Sequence, residues 1–393
     1  MRGAEAVLAC LREQGVDTVF GYPGGMILPL YDALYGQTEI RQILVTHEQN
    51  AAHAADGYAR ATGRVGVCIA TSGPGATNLV TGIATAYMDS IPMVAITGQV
   101  DLEMLGRDAF QETDILDVTM PVTKHNYKVK NAADLVPIIR EAFDLARSGR
   151  PGPVLIDVPR NLFFEEVAYA EQKREERRPG KPDADFAICA AEAAAEIVNA
   201  ERPLVIVGGG VISAGASAQA IAFIEKYKLP VVHTLMGMGG IPSTHPQMLG
   251  FIGMHGAKTA NYAVGAADLV IALGSRFADR QTGNLSKFTA NRKFIHIDID
   301  PAEIDKIVGS SIGLAGDMCV ILNLLMRQAP KSDYAAWWQQ LHTWQEEFAY
   351  DYHSDALSVP WALNQVARMT AGKACAYATD VGQHQMWAAL HLR

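Results

Sequence analysis

The sequence predicts an α/β protein built on parallel sheets, with two complete α/β domains and the start of a third. Three observations predict it. Short apolar segments such as VGVCIAT (65–71) alternate with longer helical patterns, as strands buried on both faces by crossover helices do. That alternation runs twice, once on each side of a charged stretch containing two prolines. The 393 residues also exceed what one hydrophobic core organises, so two or three domains are expected.

The elements follow in order. GAEAVLACLREQG (3–15) carries a helical period, DTVFGY (17–22) is a short strand, and MILPLYDALYG (26–36) is helical again. RQILVT (41–46) is a strand, EQNAAHAADGYARATG (48–63) a helix, and VGVCIAT the first fully apolar strand. A helix at 75–90, a strand PMVAITG (92–98), a helix at 132–149 and a strand GPVLIDVP (152–159) close a domain placed at 1–165. Residues 166–186 are charged, without apolar period, and read as a linker. A second run occupies 187–330, with strands in PLVIVGGG, LPVVHTL, ADLVIALGSRF and KFIHIDID and a helix in QAIAFIEKYK. An aromatic-rich helical connector follows at 331–360. Residues 361–393 offer a helix, a strand ACAYATD (374–380) and the beginning of another helix, too little to bury a core alone.

Composition narrows the function. Hydrophobic residues at 49% and charged residues at 19% describe a packed globular protein. A net charge of −9 argues against nucleic acid or an anionic membrane as partner. Five scattered cysteines without CxxC spacing read as reduced thiols of a cytoplasmic protein. The N-terminus lacks a basic-then-apolar leader, and no apolar run has the ~18 residues a membrane span needs.

Several motifs are weak. HEQNAAH imitates the zinc signature HExxH, but Ala51 stands where the second histidine belongs, so no metal site is assigned. VIVGGGVISAG and GMHGAKT miss the dinucleotide and Walker spacings, and tight strand-to-helix turns explain both. Their interest is position: strand ends of a parallel sheet are where such folds bind ligands. Two glycine-proline turns, GYPGGM (21–26) and TSGPGATN (71–78), each join a strand to a helix and let a ligand approach backbone N–H groups. A third junction, THEQ, places Glu48 ahead of an alanine-rich helix. One reading is a first-turn carboxylate stabilised by about 0.3–1 kcal/mol. The other is a carboxylate among alanines, partly desolvated, with its pKa pushed upward and suited to proton exchange with a nitrogen base.

Taken as an ordered set, GYPGG, THEQNAA, GYARATG, ATSGPGATN, ITGQV, DAFQE, TKH, GRPGPVLIDVP, GMHG, GSRFADR, IDIDPAEI and TDVGQHQMWAA closely resemble the catalytic subunits of acetolactate synthases. The resemblance runs from 1 to 393 and implies the thiamine-diphosphate-enzyme fold. Domain 1–165 would bind the pyrimidine, 187–330 would bind FAD, and 361–393 would begin a diphosphate-binding domain. The implied activity joins two pyruvates, or pyruvate and 2-ketobutyrate, with loss of CO2, in branched-chain amino-acid synthesis.

In this family the glutamate matching Glu48 hydrogen-bonds a ring nitrogen of the aminopyrimidine, so that the cofactor's own amino nitrogen can take the thiazolium C2 proton. The thiamine site would comprise Tyr22, Pro23, Gly24, Gly25, Gln99, Val381, Gly382, Gln383 and His384. Phe110, Gln111, Arg160, Met254 and Arg276 would meet substrate, Arg276 gripping the second ketoacid's carboxylate with paired hydrogen bonds. FAD would meet Arg150, Gly208, Gly209, Thr234, Leu235, Met254, His255, Gly256, Gly274, Arg276, Asp298 and Asp317. A homodimer or larger oligomer and a small regulatory subunit are the implied partners.

The sequence departs from the family at Arg160, where Lys is usual, at Met26, where Ala is usual, and at Ala278, in place of the first Asp of RFDDR. The family's GDG…Asn motif for Mg2+ and diphosphate does not occur. The thiamine-diphosphate and Mg2+ sites are therefore expected to be incomplete, and this chain alone to bind FAD weakly and turn over no substrate. The alternatives are a non-catalytic FAD-binding or dimerising remnant and another thiamine-dependent ketoacid decarboxylase or oxidase.

Overall fold

A computed structural model describes residues 1–172, 184–330, 333–352 and 357–392. The chain divides into two compact units, 1–177 and 178–393. In the first, β1 (Thr18–Gly21), β2 (Arg41–Leu44), β3 (Gly66–Ala70), β4 (Met93–Gln99), β5 (His125–Lys128) and β6 (Pro153–Pro159) form one sheet in the order β2-β1-β3-β4-β6-β5. Every pairing is parallel.

The strand period of two sorts the core residues. Val67 and Ile69 of β3 and Val94 and Ile96 of β4 pack with α1 (Gly3–Glu13), α2 (Leu28–Tyr35) and α7 (Leu135–Arg147). Cys68 and Ala70, with Met93 and Ala95, face α3 (Glu48–Thr62), α4 (Pro74–Asn78) and α5 (Val80–Asp89). The alanines of α3 are thus explained: Ala51, Ala52, Ala55 and Ala59 are buried between α5 and the sheet, where larger side chains would hold the layers apart. The helix expected at 75–90 is broken at Leu79 into α4 and α5, and a short α6 (Ile115–Thr119) precedes β5.

An ion pair joins two of these helices. Arg140 of α7 donates to both oxygens of Glu13 at 2.7 Å, and Tyr169 and the Gln172 N–H add to the carboxylate at 3.2 Å. The Arg140 guanidinium foremost holds Glu13 below the usual carboxylate range. A depressed folded pKa contributes stability above the ordinary value of about 4.3, and that stability is lost as pH falls through the folded value. Glu13→Ala should cost about 1–3 kcal/mol at pH 7, and urea titrations should show the difference from wild type shrinking below about pH 4. A pH-independent difference would contradict the pairing.

The second unit begins with α8 (Ala184–Asn199); residues 173–183 of the expected linker lie outside the described residues. Its strands are β7 (Pro203–Val207), β8 (Val231–His233), β9 (Met248–Phe251), β10 (Leu269–Leu273), β11 (Lys293–Asp298) and β12 (Ile312–Ala315), ordered β12-β11-β10-β7-β8-β9 and all parallel. Between them run α9 (Gly209–Ser213), α10 (Ser217–Tyr227), α11 (Lys258–Ala266), α12 (Asp279–Thr282) and α13 (Leu285–Thr289), and α14 (Met318–Leu325) follows β12. α15 (Ala335–Glu347) is sealed onto this unit: Trp337 and Leu341 are buried, and the Trp337 indole donates to the Pro203 carbonyl at 3.1 Å.

Two helices, α16 (Val359–Thr370) and α17 (Gln383–His391), end the chain. The strand expected at 374–380 does not form. Residues 371–380 are exposed and have no ladder partner among the described residues, and a strand without one leaves its backbone groups to water. β5, β9 and β12, unforeseen in the sequence, are short edge strands whose pairing is set by the sheet rather than by an apolar run. No helix among the described residues is long and apolar enough to cross a membrane.

Candidate functional site

The second sheet reverses its winding once, and the first does so next to β1 and again where β6 steps back between β4 and β5. In the first unit the chain steps from β1 outward to β2, then crosses back to β3 on β1's other side. The crevice outside the carboxyl ends of β1 and β3 is the switch point, where open α/β sheets take their ligands. The two glycine-proline turns leave the sheet there.

The turns touch. The Met26 N–H donates to Thr71 Oγ1 at 3.2 Å, and a Cβ on Gly24 would lie 2.5 Å from Thr71 Cγ2. On the other side of Thr71 is Gly75, where a Cβ would come 3.3 Å from Glu48 Oε1. Glu48, the first residue of α3, is half-buried, and its Oε2 accepts from Asn78 Nδ2 at 2.9 Å. The carboxylate therefore faces the 71–78 turn, with one oxygen anchored and the other beside backbone that has no side chain. Ser72 Oγ in the same turn and Tyr31 Oη behind it are buried with no hydrogen-bond partner. Burial pushes the Tyr31 phenol up, with Cys68 and then Glu48 adding to the effect.

Gln111 joins them. A Cβ on Gly73 would meet the Gln111 carbonyl oxygen at 2.6 Å, and Gly73 has φ +57° and ψ −121°, open essentially to glycine alone. Phe110 beside it is 81% exposed. Gln99 ends β4 fully buried; its amide donates to Asp157 Oδ2 at 3.0 Å and to the Thr113 carbonyl at 2.9 Å. Arg160 follows β6 at this same edge, with Nε buried and unpartnered and the guanidinium 5.7 Å from the Phe164 ring centre. Arg150 precedes β6, at the opposite end of the sheet, and donates to Ser90 Oγ at 2.8 Å.

In the second unit the switch point falls between β7 and β10. Gly208 and Gly209 leave β7, and Gly274, Ser275 and Arg276 leave β10. The backbones nearly touch: the Gly210 N–H donates to the Gly274 carbonyl at 3.1 Å, and a Cβ on Gly274, whose φ is +57°, would lie 2.5 Å from Gly210 Cα. Around this crevice stand Thr234, whose hydroxyl accepts from the Gly237 N–H at 3.1 Å, then Leu235, and the 254–256 turn of Met254, His255 and Gly256. Asp298 ends β11; burial foremost raises its pKa. His296 on the same strand has its Nε2 3.0 Å from the Ser275 carbonyl, while Nδ1 is buried without a partner, as is Nε2 of Gln281. Desolvation pushes the His296 pKa down, so the neutral imidazole is favoured. Asp317 caps α14 through the Val320 N–H at 3.0 Å. Val381, Gly382, Gln383 and His384 form the start of α17, with Gly382 half-buried and the others exposed.

Comparison with known proteins matches residues 1–118 to the N-terminal TPP-binding domain of thiamine pyrophosphate enzymes and residues 190–325 to their central domain. The whole chain is 47% identical to the acetolactate synthase large subunit of Parasynechococcus marenigrum, spanning 65% of that protein. It is 46% identical to the isozyme 2 large subunit of acetolactate synthase from Escherichia coli, again over the whole chain and 70% of the relative. The large subunit from Corynebacterium glutamicum is 46% identical over 99% of the chain and 63% of its own length.

The chain belongs to the acetolactate synthase large-subunit family. The turns GYPGG and ATSGPGATN of the acetolactate synthase resemblance leave the first sheet at its switch point and Gly208, Gly209 and GSR leave the second at its own, whereas Arg150 and residues 381–384 lie away from both. What the motif reading missed are the partners. Asn78, Thr71 and Ser72 lie inside a motif read for its glycines. Asp157 carried a signal of its own: one carboxylate inside the otherwise apolar strand VLIDVP. Ser275, Gln281 and His296 carry none, because their meeting depends on how the strands order.

Proposed function

We propose that this chain carries the pyrimidine- and FAD-binding parts of an acetolactate synthase, in which two 2-ketoacids, the first of them pyruvate, condense with loss of CO2, and that by itself it turns over no substrate. The observation carrying the reading is the Glu48 carboxylate, held by Asn78 against the side-chain-free Gly75 at a sheet switch point. The first unit fits an aminopyrimidine: Glu48 supplies a charged acceptor, and Ser72 Oγ is a buried polar atom still lacking a partner. Thiamine diphosphate, when bound, supplies the electron sink that lets a ketoacid lose CO2. Glu48 holds a proton at a pyrimidine ring nitrogen, Asn78 fixes the carboxylate's direction, and the Gly24 and Gly73 turns exclude water around it.

Gln111 and Phe110 border the same crevice and serve the substrate, as does Arg160. The Arg276 guanidinium, at the second unit's own switch point, is suited to a carboxylate. FAD fits the second crevice, where His296 Nδ1 and Gln281 Nε2 are buried polar atoms still lacking a partner. No group of three or more His, Cys, Asp or Glu side chains converges among the described residues, and no step is routed through Mg2+. The relatives' designation as large subunits supports a smaller companion chain, and a homo-oligomer in the cytoplasm completes the proposal.

Two readouts test this. Millimolar thiamine diphosphate should raise the melting temperature, because a ligand binding only the folded chain stabilises it. Any product formed from pyruvate with thiamine diphosphate, Mg2+ and FAD, by a chain extended to its relatives' length, should be acetolactate. Acetate or acetaldehyde instead, or no cofactor-dependent thermal shift, would contradict the assignment.

A further inference from the structure

The geometry points to Asp157 as a positioning residue that, through Gln99, holds the 100–113 segment and its Phe110 and Gln111 against the 71–75 turn. The inference rests on the proposed reading of that turn and Glu48 as the reaction site. Asp157 is completely buried on β6, level with Thr97 of β4. Each of its oxygens accepts one hydrogen bond, Oδ1 from Thr97 Oγ1 at 2.7 Å and Oδ2 from Gln99 Nε2 at 3.0 Å. The other amide hydrogen of Gln99 goes to the Thr113 carbonyl, and its Oε1 takes the Val100 N–H, each at 2.9 Å.

Asp157 therefore sets which way the Gln99 amide points. Flipped, the amide would aim oxygen at Asp157 and at the Thr113 carbonyl, and NH2 at the Val100 N–H. In the observed orientation it clamps the far end of the segment. The near end is fixed by Leu102 N–H on Asn161 Oδ1 at 3.0 Å, and the tip is tied by Glu112, which accepts from Gly106 N–H at 2.5 Å and Ala109 N–H at 3.1 Å. No residue from 101 to 113 is buried. Apolar packing can therefore do little for this segment, and the polar anchors decide where it lies.

The charged neighbours are Lys128, level with Asp157 on β5, and Asp114, which pairs with Lys128 at 3.3 Å. Burial foremost pushes the Asp157 carboxyl up to about 7, while Thr97, Gln99 and Lys128 pull it back. A group in that range can be ionised at neutral pH, the state in which both oxygens accept.

Hydrogen exchange on the full chain, without pyruvate or thiamine diphosphate, tests the inference. Asp157→Val should speed exchange of the 106–113 amides at least tenfold while β3 and β4 keep their protection. Asp157→Asn, which still offers one oxygen to Gln99 and an amide to the Thr97 hydroxyl, should restore 106–113 to within about threefold of wild type. If Asp157→Val does not fold, Gln99→Met, which removes the amide's bonds to Asp157, Thr113 and Val100 while keeping the side chain's length, should reproduce the local effect. Unchanged exchange at 106–113, or an equal rise across the whole unit, would overturn the positioning role. Because no substrate or cofactor is present, that failure would leave the Glu48 assignment standing.

Discussion

In a chain extended by the part of its relatives' length that this one does not span, Glu48→Gln slows acetolactate formation by about 10²–10⁴-fold, the range a positioned proton-transfer group supplies, and leaves the fold intact. Glutamine keeps the side chain's length and an oxygen that can accept from Asn78 Nδ2, which Glu48 now engages at 2.9 Å. What it removes is the charge and the ability to share a proton. The plainer role, a carboxylate favoured in the first turn of α3, predicts something else: a stability loss of about 0.3–1 kcal/mol and no change in rate. The two outcomes differ by orders of magnitude in one assay. Steady-state kinetics with saturating thiamine diphosphate, beside thermal melts of both proteins, separate them.

Gly73→Ala, in the same extended chain, is the second large effect. At φ +57° and ψ −121° an alanine is strained by about 1–3 kcal/mol, and its Cβ would be placed 2.6 Å from the Gln111 carbonyl oxygen. Backbone has no rotamer to escape into, so either the 71–75 turn or the 111 segment moves. Both border Glu48. A displacement near 1 Å in such a site costs about 100-fold in rate, so the variant should lose activity out of proportion to its lowered melting temperature. Full activity in a merely less stable protein would show that the close approach of Gln111 to the turn has no part in catalysis.

How much of this was legible beforehand follows from where the information resides. The doubly buried strands β3, β4, β6, β7 and β10 announce themselves as apolar runs, because burial on both faces leaves no polar period. β5 (HNYK) and β12 (IGLA) do not, since an edge strand is specified by its neighbour. The 374–380 segment shows the converse: it reads as a strand but has nothing to pair with among the described residues. Glu48 and the glycine turns were visible as motifs, and the sheet order explains why they converge. Their partners were hidden in different ways. Asn78 reaches Glu48 across 30 positions, and Asp157 reaches Gln99 across 58, distances no local pattern encodes.

The central claim is that Glu48 is the proton handle for the bound thiazolium ring, and the most direct measurement is the exchange of that ring's C2 proton. Thiamine diphosphate at millimolar concentration, mixed with the protein in deuterium oxide, quenched in acid and read by proton NMR, reports the rate without requiring turnover. The account predicts exchange far faster than for free thiamine diphosphate with wild-type protein, and a fall of about 10²–10⁴-fold with Glu48→Gln. Equal exchange rates for the two proteins would contradict it.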